Sequence, residues 1–170
     1  MMLRFLGALL VLGAGGAVGF SIAAQERREQ RQLEDFARSL DIMGQELRCN
    51  LTPLDGLLQL AAAQTGGMVA KIYHAAAQAL QRQVGPDVQT CMAAALESCP
   101  EAPKQLWELF EHLGRTLGKF DLPGQLAGLR HVHQRCTRRL EALRQGQAER
   151  HRSYRILGLC AGGALAILLI

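Results

Sequence analysis

The stretch "HVHQRC", residues 131–136, places two imidazoles and a thiol within six residues. Histidine and cysteine at close spacing raise the question of zinc, which takes four ligands in a structural site and three plus water in a catalytic one. On a helix His131 and His133 point in quite different directions, whereas His133 and Cys136 share a face. That leaves the pair short of ligands, because His74, His112 and His151 lie in other segments with no matching partner. No metal ligand is assigned. "GRTLGK", residues 114–119, contains a Gly-Lys pair but lacks the spacing of a phosphate loop and follows a helix instead of a strand. Glu108 and Glu111 fall on one helix and could pair, but a solvated face explains them equally well. The five cysteines, at 49, 91, 99, 136 and 160, are odd in number and loosely spaced, so they make no disulfide framework. They read as small buried hydrophobes. No catalytic or cofactor-binding residue is assigned, and the chain is read as a non-enzyme.

Charge is the next candidate. The net charge is +4, but from Leu122 to Arg155 eight arginines face only Glu141 and Glu149, while the other 11 basic residues face 13 acidic ones. Such a cluster marks nucleic acid, an anionic membrane surface or a solvated face. The arginines lack interleaved aromatics, which argues against nucleic acid. They stand beside the apolar end "SYRILGLCAGGALAILLI", which favours lipid head groups.

That end has a counterpart. Leu3 to Ala24 carries only Arg4 as a charge; as a helix it extends roughly 33 Å, against a hydrocarbon core of about 30 Å. Its apolar length exceeds the core of a signal peptide, and "GFSIAAQE" is a mediocre cleavage site, so an uncleaved anchor is favoured over a leader. Ile156 to Ile170 is shorter, roughly 22 Å; Tyr154 as an interfacial anchor and a snorkelling Arg155 extend it. It lacks the polar face of a buried core helix, so a second short span is expected. Gly15 and Gly19, and again Gly158 and Gly162, are four apart, a spacing that lets helix backbones approach in lipid. Arg27, Arg28 and Arg31 flank one span and Arg150, Arg152 and Arg155 the other. The positive-inside rule then puts the centre in the cytoplasm and both termini outside.

Between the ends every segment reads as helix. Hydrophobics are 49% and aromatics 5%, mostly Leu, Ala and Val, and no alternating strand pattern occurs. Leu33, Phe36, Ala37, Leu40, Met43 and Leu47 form one apolar face. In "NLTPLDGLL", Thr52 is expected as N-cap with Pro53 at the first helical position. Further faces run through Met68, Ile72, Tyr73, Ala76 and Leu80; through Val88, Cys91, Met92, Ala95 and Leu96; and through Leu106, Leu109, Phe110, Leu113 and Leu117. Gly118 is expected just past the end of that last helix, and Asp121 as the next N-cap. Leu122, Leu126, Leu129, His133, Cys136, Leu140 and Leu143 alternate by three and four as a heptad seam, packed on the domain or self-paired as a coiled coil. The fold class expected is all-α: a span over 3–24, a cytoplasmic helical bundle over 25–153, and a span over 154–170.

The order of these features resembles the stage III sporulation protein AB family of endospore-forming bacteria. The matching pieces are "LRFLGALLVLGAGGAVGF", "QLEDFARSLDIMGQEL", "TPLDGLL", "LFEHLGRTLGKFDLPGQLAGL" and the closing apolar stretch. Glu46, Thr52, Pro53, Leu54, Leu117, Gly118, Asp121 and Gln125 stand where the family pattern expects such residues. A Trp usual near Cys91 is missing, and Trp107 is the chain's single tryptophan. The resemblance implies a non-enzymatic membrane platform in a transenvelope complex between mother cell and forespore, located in the mother-cell membrane around the forespore. It implies likeness to inner-membrane platform proteins of type II secretion and type IV pilus machines. Its partners would be a cytoplasmic secretion-type ATPase and other membrane subunits, with homo-oligomerisation possible and no cofactor. The competing reading is an exported, membrane-anchored helical sensor or ligand-binding bundle.

Overall fold

The computed structural model describes the backbone over residues 2–50 and 52–169, and side chains over 24–50 and 52–146. Six helices succeed one another: α1 (Met2–Cys49), α2 (Leu54–Gln64), α3 (Gly67–Gln81), α4 (Val88–Glu97), α5 (Lys104–Thr116) and α6 (Leu122–Leu169). No strand occurs among the described residues. The apolar segments 3–24 and 154–170 lie almost wholly outside the described side chains. Among the described residues no helix is long and apolar enough to cross a membrane.

Short connections turn each helix back on its predecessor. The turns at 50–53, 82–87 and 117–121 therefore share one pole of the bundle, and those at 65–66 and 98–103 the other. The long helices α1 and α6 pack together antiparallel: Asp41 meets His133, and Glu34 meets Arg144. Residues 24 and 146 thus leave the bundle at the same end.

The core forms where the apolar faces of α1, α3, α4 and α5 converge. Leu33, Phe36, Leu40, Met43 and Leu47 are all buried, as are Val88, Cys91, Met92, Ala95 and Leu96. At its centre Phe110 makes edge-on contacts with Phe36 and Tyr73, each with centroids 4.8 Å apart. Each such contact is worth about 0.5–1.5 kcal/mol beyond its burial. The Tyr73 hydroxyl lies 2.7 Å from Ser39 Oγ. Ser39 donates its own proton to the Phe36 carbonyl at 2.6 Å. Tyr73 is therefore the donor in the pair, and burial holds its phenol far above the usual range.

α6 departs from the heptad seam. Among its described side chains the buried ones are Leu129, Val132, Cys136 and Leu140, whereas His133 is half-exposed at the helix edge. Val132 replaces His133 because burying an imidazole without a partner costs free energy that an isopropyl group does not. His133 turns instead to Asp41, with Nε2 3.5 Å from the carboxylate. Cys136, on the same side of the helix but deeper, donates to the Leu33 carbonyl of α1 at 3.3 Å, and burial pushes its thiol up to about 11. The two side chains do not converge on a common ligand position. Among the described residues no three His, Cys, Asp or Glu side chains gather around one point. Cys49, Cys91, Cys99 and Cys136 are free, and of these only Cys49 is exposed.

Part of the arginine cluster also has structural work. Arg139 reaches Glu108 of α5 at 3.0 Å, Arg144 reaches Glu34 of α1 at 2.9 Å, and Arg135 donates to His112 Nε2 at 2.7 Å. Glu108 and Glu111 therefore do not pair: Glu111 is held by Arg115. Exposed pairs of this kind contribute ~0–1 kcal/mol each, so they set the register of α6 more than they stabilise it. Burial first, and then the guanidiniums of Arg135 and Arg115, lower the His112 pKa from its ordinary 6.5.

This packing makes two outcomes measurable. Ser39→Ala strands the buried Tyr73 hydroxyl and should cost about 1–3 kcal/mol in urea unfolding, whereas Tyr73→Phe, which leaves Ser39 bonded to Phe36, should cost less. Below pH 6.5 the unfolded chain takes up a proton at His112 that the folded chain resists, so stability is full above that pH and falls as pH drops through it. The urea midpoint should decline between about pH 7.5 and 5.5, and His112→Gln should flatten that decline.

Candidate functional site

The pole opposite the departing ends of α1 and α6 is assembled from three turns. α1 finishes at Cys49, and Glu46 on its last turn organises the chain beyond it. Its Oε2 accepts from Asn50 Nδ2 at 2.8 Å and from Thr52 Oγ1 at 3.1 Å. Thr52 is therefore not the cap of α2. Pro53 occupies that position, with no side-chain hydrogen bond, and its carbonyl accepts from Leu57 at 2.9 Å. The Thr52 hydroxyl is spent fixing the turn to α1.

Leu54 carries the turn into contact with the second motif. α5 ends at Thr116, Leu117 is buried in the core, and Gly118 takes a left-handed backbone with φ +77°. A Cβ on Gly118 would lie 3.1 Å from Leu54 Cδ1 and 3.0 Å from Val88 Cγ2. Gly118 is thus required twice, by its backbone angle and by the close approach of α2 and α4. Asp121 then caps α6, accepting from Gly124 N at 3.2 Å. Gln125 reaches back so that Nε2 donates to the Phe120 carbonyl at 2.9 Å, leaving its buried Oε1 without a donor. The structure places all eight motif residues, Glu46, Thr52, Pro53, Leu54, Leu117, Gly118, Asp121 and Gln125, on this pole. The Leu54–Gly118 contact is where the two sets meet.

The third turn joins through Asp87. It caps α4, accepting from Thr90 N at 2.8 Å and Thr90 Oγ1 at 2.6 Å, and these hydrogen bonds, the side-chain one first, hold its carboxyl below the usual carboxylate range. Lys119 bridges Asp87 at 3.8 Å and also donates to Gln89. Between these fixed points stand the exposed large hydrophobics of the described residues, Val84 at 58% and Phe120 at 56%. Both lie on pole turns. Neither stands out in the sequence, because one apolar residue inside a turn looks like any other. The pole brings together fixed carboxylates, an ammonium and two exposed apolar side chains.

Residues 4–170 match the model of the stage III sporulation protein AB family. The chain belongs to that family. A family member, the stage III sporulation protein AB of Bacillus subtilis (strain 168), is 27% identical over 177 residues, covering 99% of this chain and all of the relative. A solved structure of a stage III sporulation protein AB shares the fold, with TM-score 0.61 and 21% identity, covering 69% of this chain and 94% of the other. These family relatives are named for a stage of sporulation. Cys91 is buried on α4, and Trp107, the chain's single tryptophan, lies on α5, packed at the core's edge.

Gly118→Ala should destabilise the chain by roughly 1–2 kcal/mol through the left-handed backbone alone, with more from crowding Leu54 and Val88. Asp121→Ala should cost about 1 kcal/mol as a lost cap. Urea titration of the two variants separates the corner from the cap.

Proposed function

We propose that this chain is a non-enzymatic platform subunit of a transenvelope sporulation complex, coupling a cytoplasmic ATPase to membrane subunits. The observation that carries the reading is the exposure of Val84 and Phe120, each on a turn of the pole farthest from the two apolar ends. A membrane-tethered domain presents to the cytoplasm the end opposite its tethers. That end here bears the apolar anchors and rigid polar rim of a protein-binding surface. Family membership supports a place in sporulation. The resemblance to secretion platforms supports an ATPase as the partner at this pole.

In this reading residues 3–24 and 154–170 span the mother-cell membrane around the forespore, and the bundle hangs into the cytoplasm. Arg27, Arg28 and Arg31 near one span, and Arg150, Arg152 and Arg155 near the other, favour that orientation and contact with anionic lipid.

Two measurements test it. Exposed Cys49 lies beside the pole, so a chain whose other cysteines are replaced should react with an impermeant maleimide only after cells are permeabilised. Labelling in intact cells would favour the exported sensor instead. In co-purification of the full-length chain with a secretion-type ATPase from the same cells, the Val84→Ser, Phe120→Ala double variant should lose about tenfold or more in binding with its melting temperature unchanged. Retained binding would count against the pole.

A further inference from the structure

A cleft of about 380 Å³ runs between α1 and α6, next to the pole but on the side of the bundle. Leu40 and Leu129 form its buried floor, and Leu126 lines one wall. Gly44 lies at its centre on α1. A Cβ there would meet nothing within 4 Å, so the chain's own packing gives no reason for glycine. Glycine inside a helix costs about 1 kcal/mol against alanine, and its usual compensation is close approach of another backbone. Here the room stands open to something outside the chain.

Charge says what kind of object fits. Arg48 and Arg130 line the cleft from opposite helices and have no hydrogen-bond or ion-pair partner among the described residues. Most other charges nearby are matched, Asp41 and His133 closing the floor's far end together. A second copy docked by two-fold symmetry would set this arginine pair against itself. A cleft between two helices is filled by a third.

We infer that this cleft binds an amphipathic helix of a different protein, whose small or apolar stripe passes over Gly44 and whose flanking carboxylates pair with Arg48 and Arg130. This surface is separate from the pole and stands whether or not an ATPase binds there.

The test uses the full-length chain in the cells that make it. A photoreactive amino acid at Gln45, on the cleft wall, should give one major cross-linked product, with the linked peptide mapping to a helix that carries at least two carboxylates. Gly44→Leu, and separately Arg130→Glu, should reduce the yield about tenfold or more while leaving the melting temperature of the purified chain unchanged or, for Gly44→Leu, raised. Reversing the mapped partner carboxylate to lysine should restore cross-linking to Arg130→Glu. Cross-linking to a second copy of this chain would overturn the inference. So would the absence of a product, or one whose yield survives both substitutions.

Discussion

The structure depends on one packing arrangement, the antiparallel pairing of α1 with α6. Along it Cys136 meets the Leu33 carbonyl, His133 meets Asp41 and Arg144 meets Glu34, with Leu129, Val132 and Leu140 of α6 buried alongside. No other pair joins the beginning of the sequence to its end. Of the four short helices between them, α2 and α3 pack on α1, α5 packs on α6, and α4 closes the gap between α3 and α5. Because the pair is antiparallel, both chain ends leave together and the turns at 50–53 and 117–121 are driven to the same pole. The juxtaposition of Leu54 with Gly118 is a consequence of that geometry.

The division of labour among polar residues obeys the same logic. At the pole, Glu46, Asp87 and Asp121 each hold a turn or a helix start, so the apolar side chains between them stand on rigid supports. Along the sides, Arg139 and Arg144 tie α6 to α5 and α1 at little net gain in stability. The fold itself makes no use of the unpaired Arg48 and Arg130 around Gly44, or of the exposed Val84 and Phe120. Residues that contribute nothing to folding are where binding to other molecules is most economically sought.

Much of this is legible in the sequence, for a physical reason. The faces of α1, α4 and α5 repeat at helical spacing with few competing hydrophobics, so period alone identifies Phe36, Met92 or Phe110 as core. The pattern misleads in α6 at "HVH" because a heptad seam and a straight 3.6-residue helix differ by one position after a few turns. The deciding factor is the cost of burying His133, and the carboxylate it turns to, Asp41, belongs to another helix far away in the chain. Thr52 fails as a cap for a similar reason: its hydroxyl has a better acceptor in Glu46, which no capping rule inspects. The arginine cluster reads as a face meeting lipid head groups, and its ties to Glu34 and Glu108 go unseen because those residues are distant in sequence. Gly44 carries no signal at all, since its meaning lies in the absence of any neighbour.

The measurement that most directly tests this architecture is a thiol cross-link across α1 and α6. With the native cysteines replaced in the full-length chain, the Asp41→Cys, His133→Cys pair should be joined rapidly by a short bismaleimide. The mismatched Asp41→Cys, Arg144→Cys pair should not. Equal reaction of both pairs, or reaction of the mismatched pair alone, would contradict the antiparallel register on which the pole, the cleft and the shared exit of the chain ends all rest.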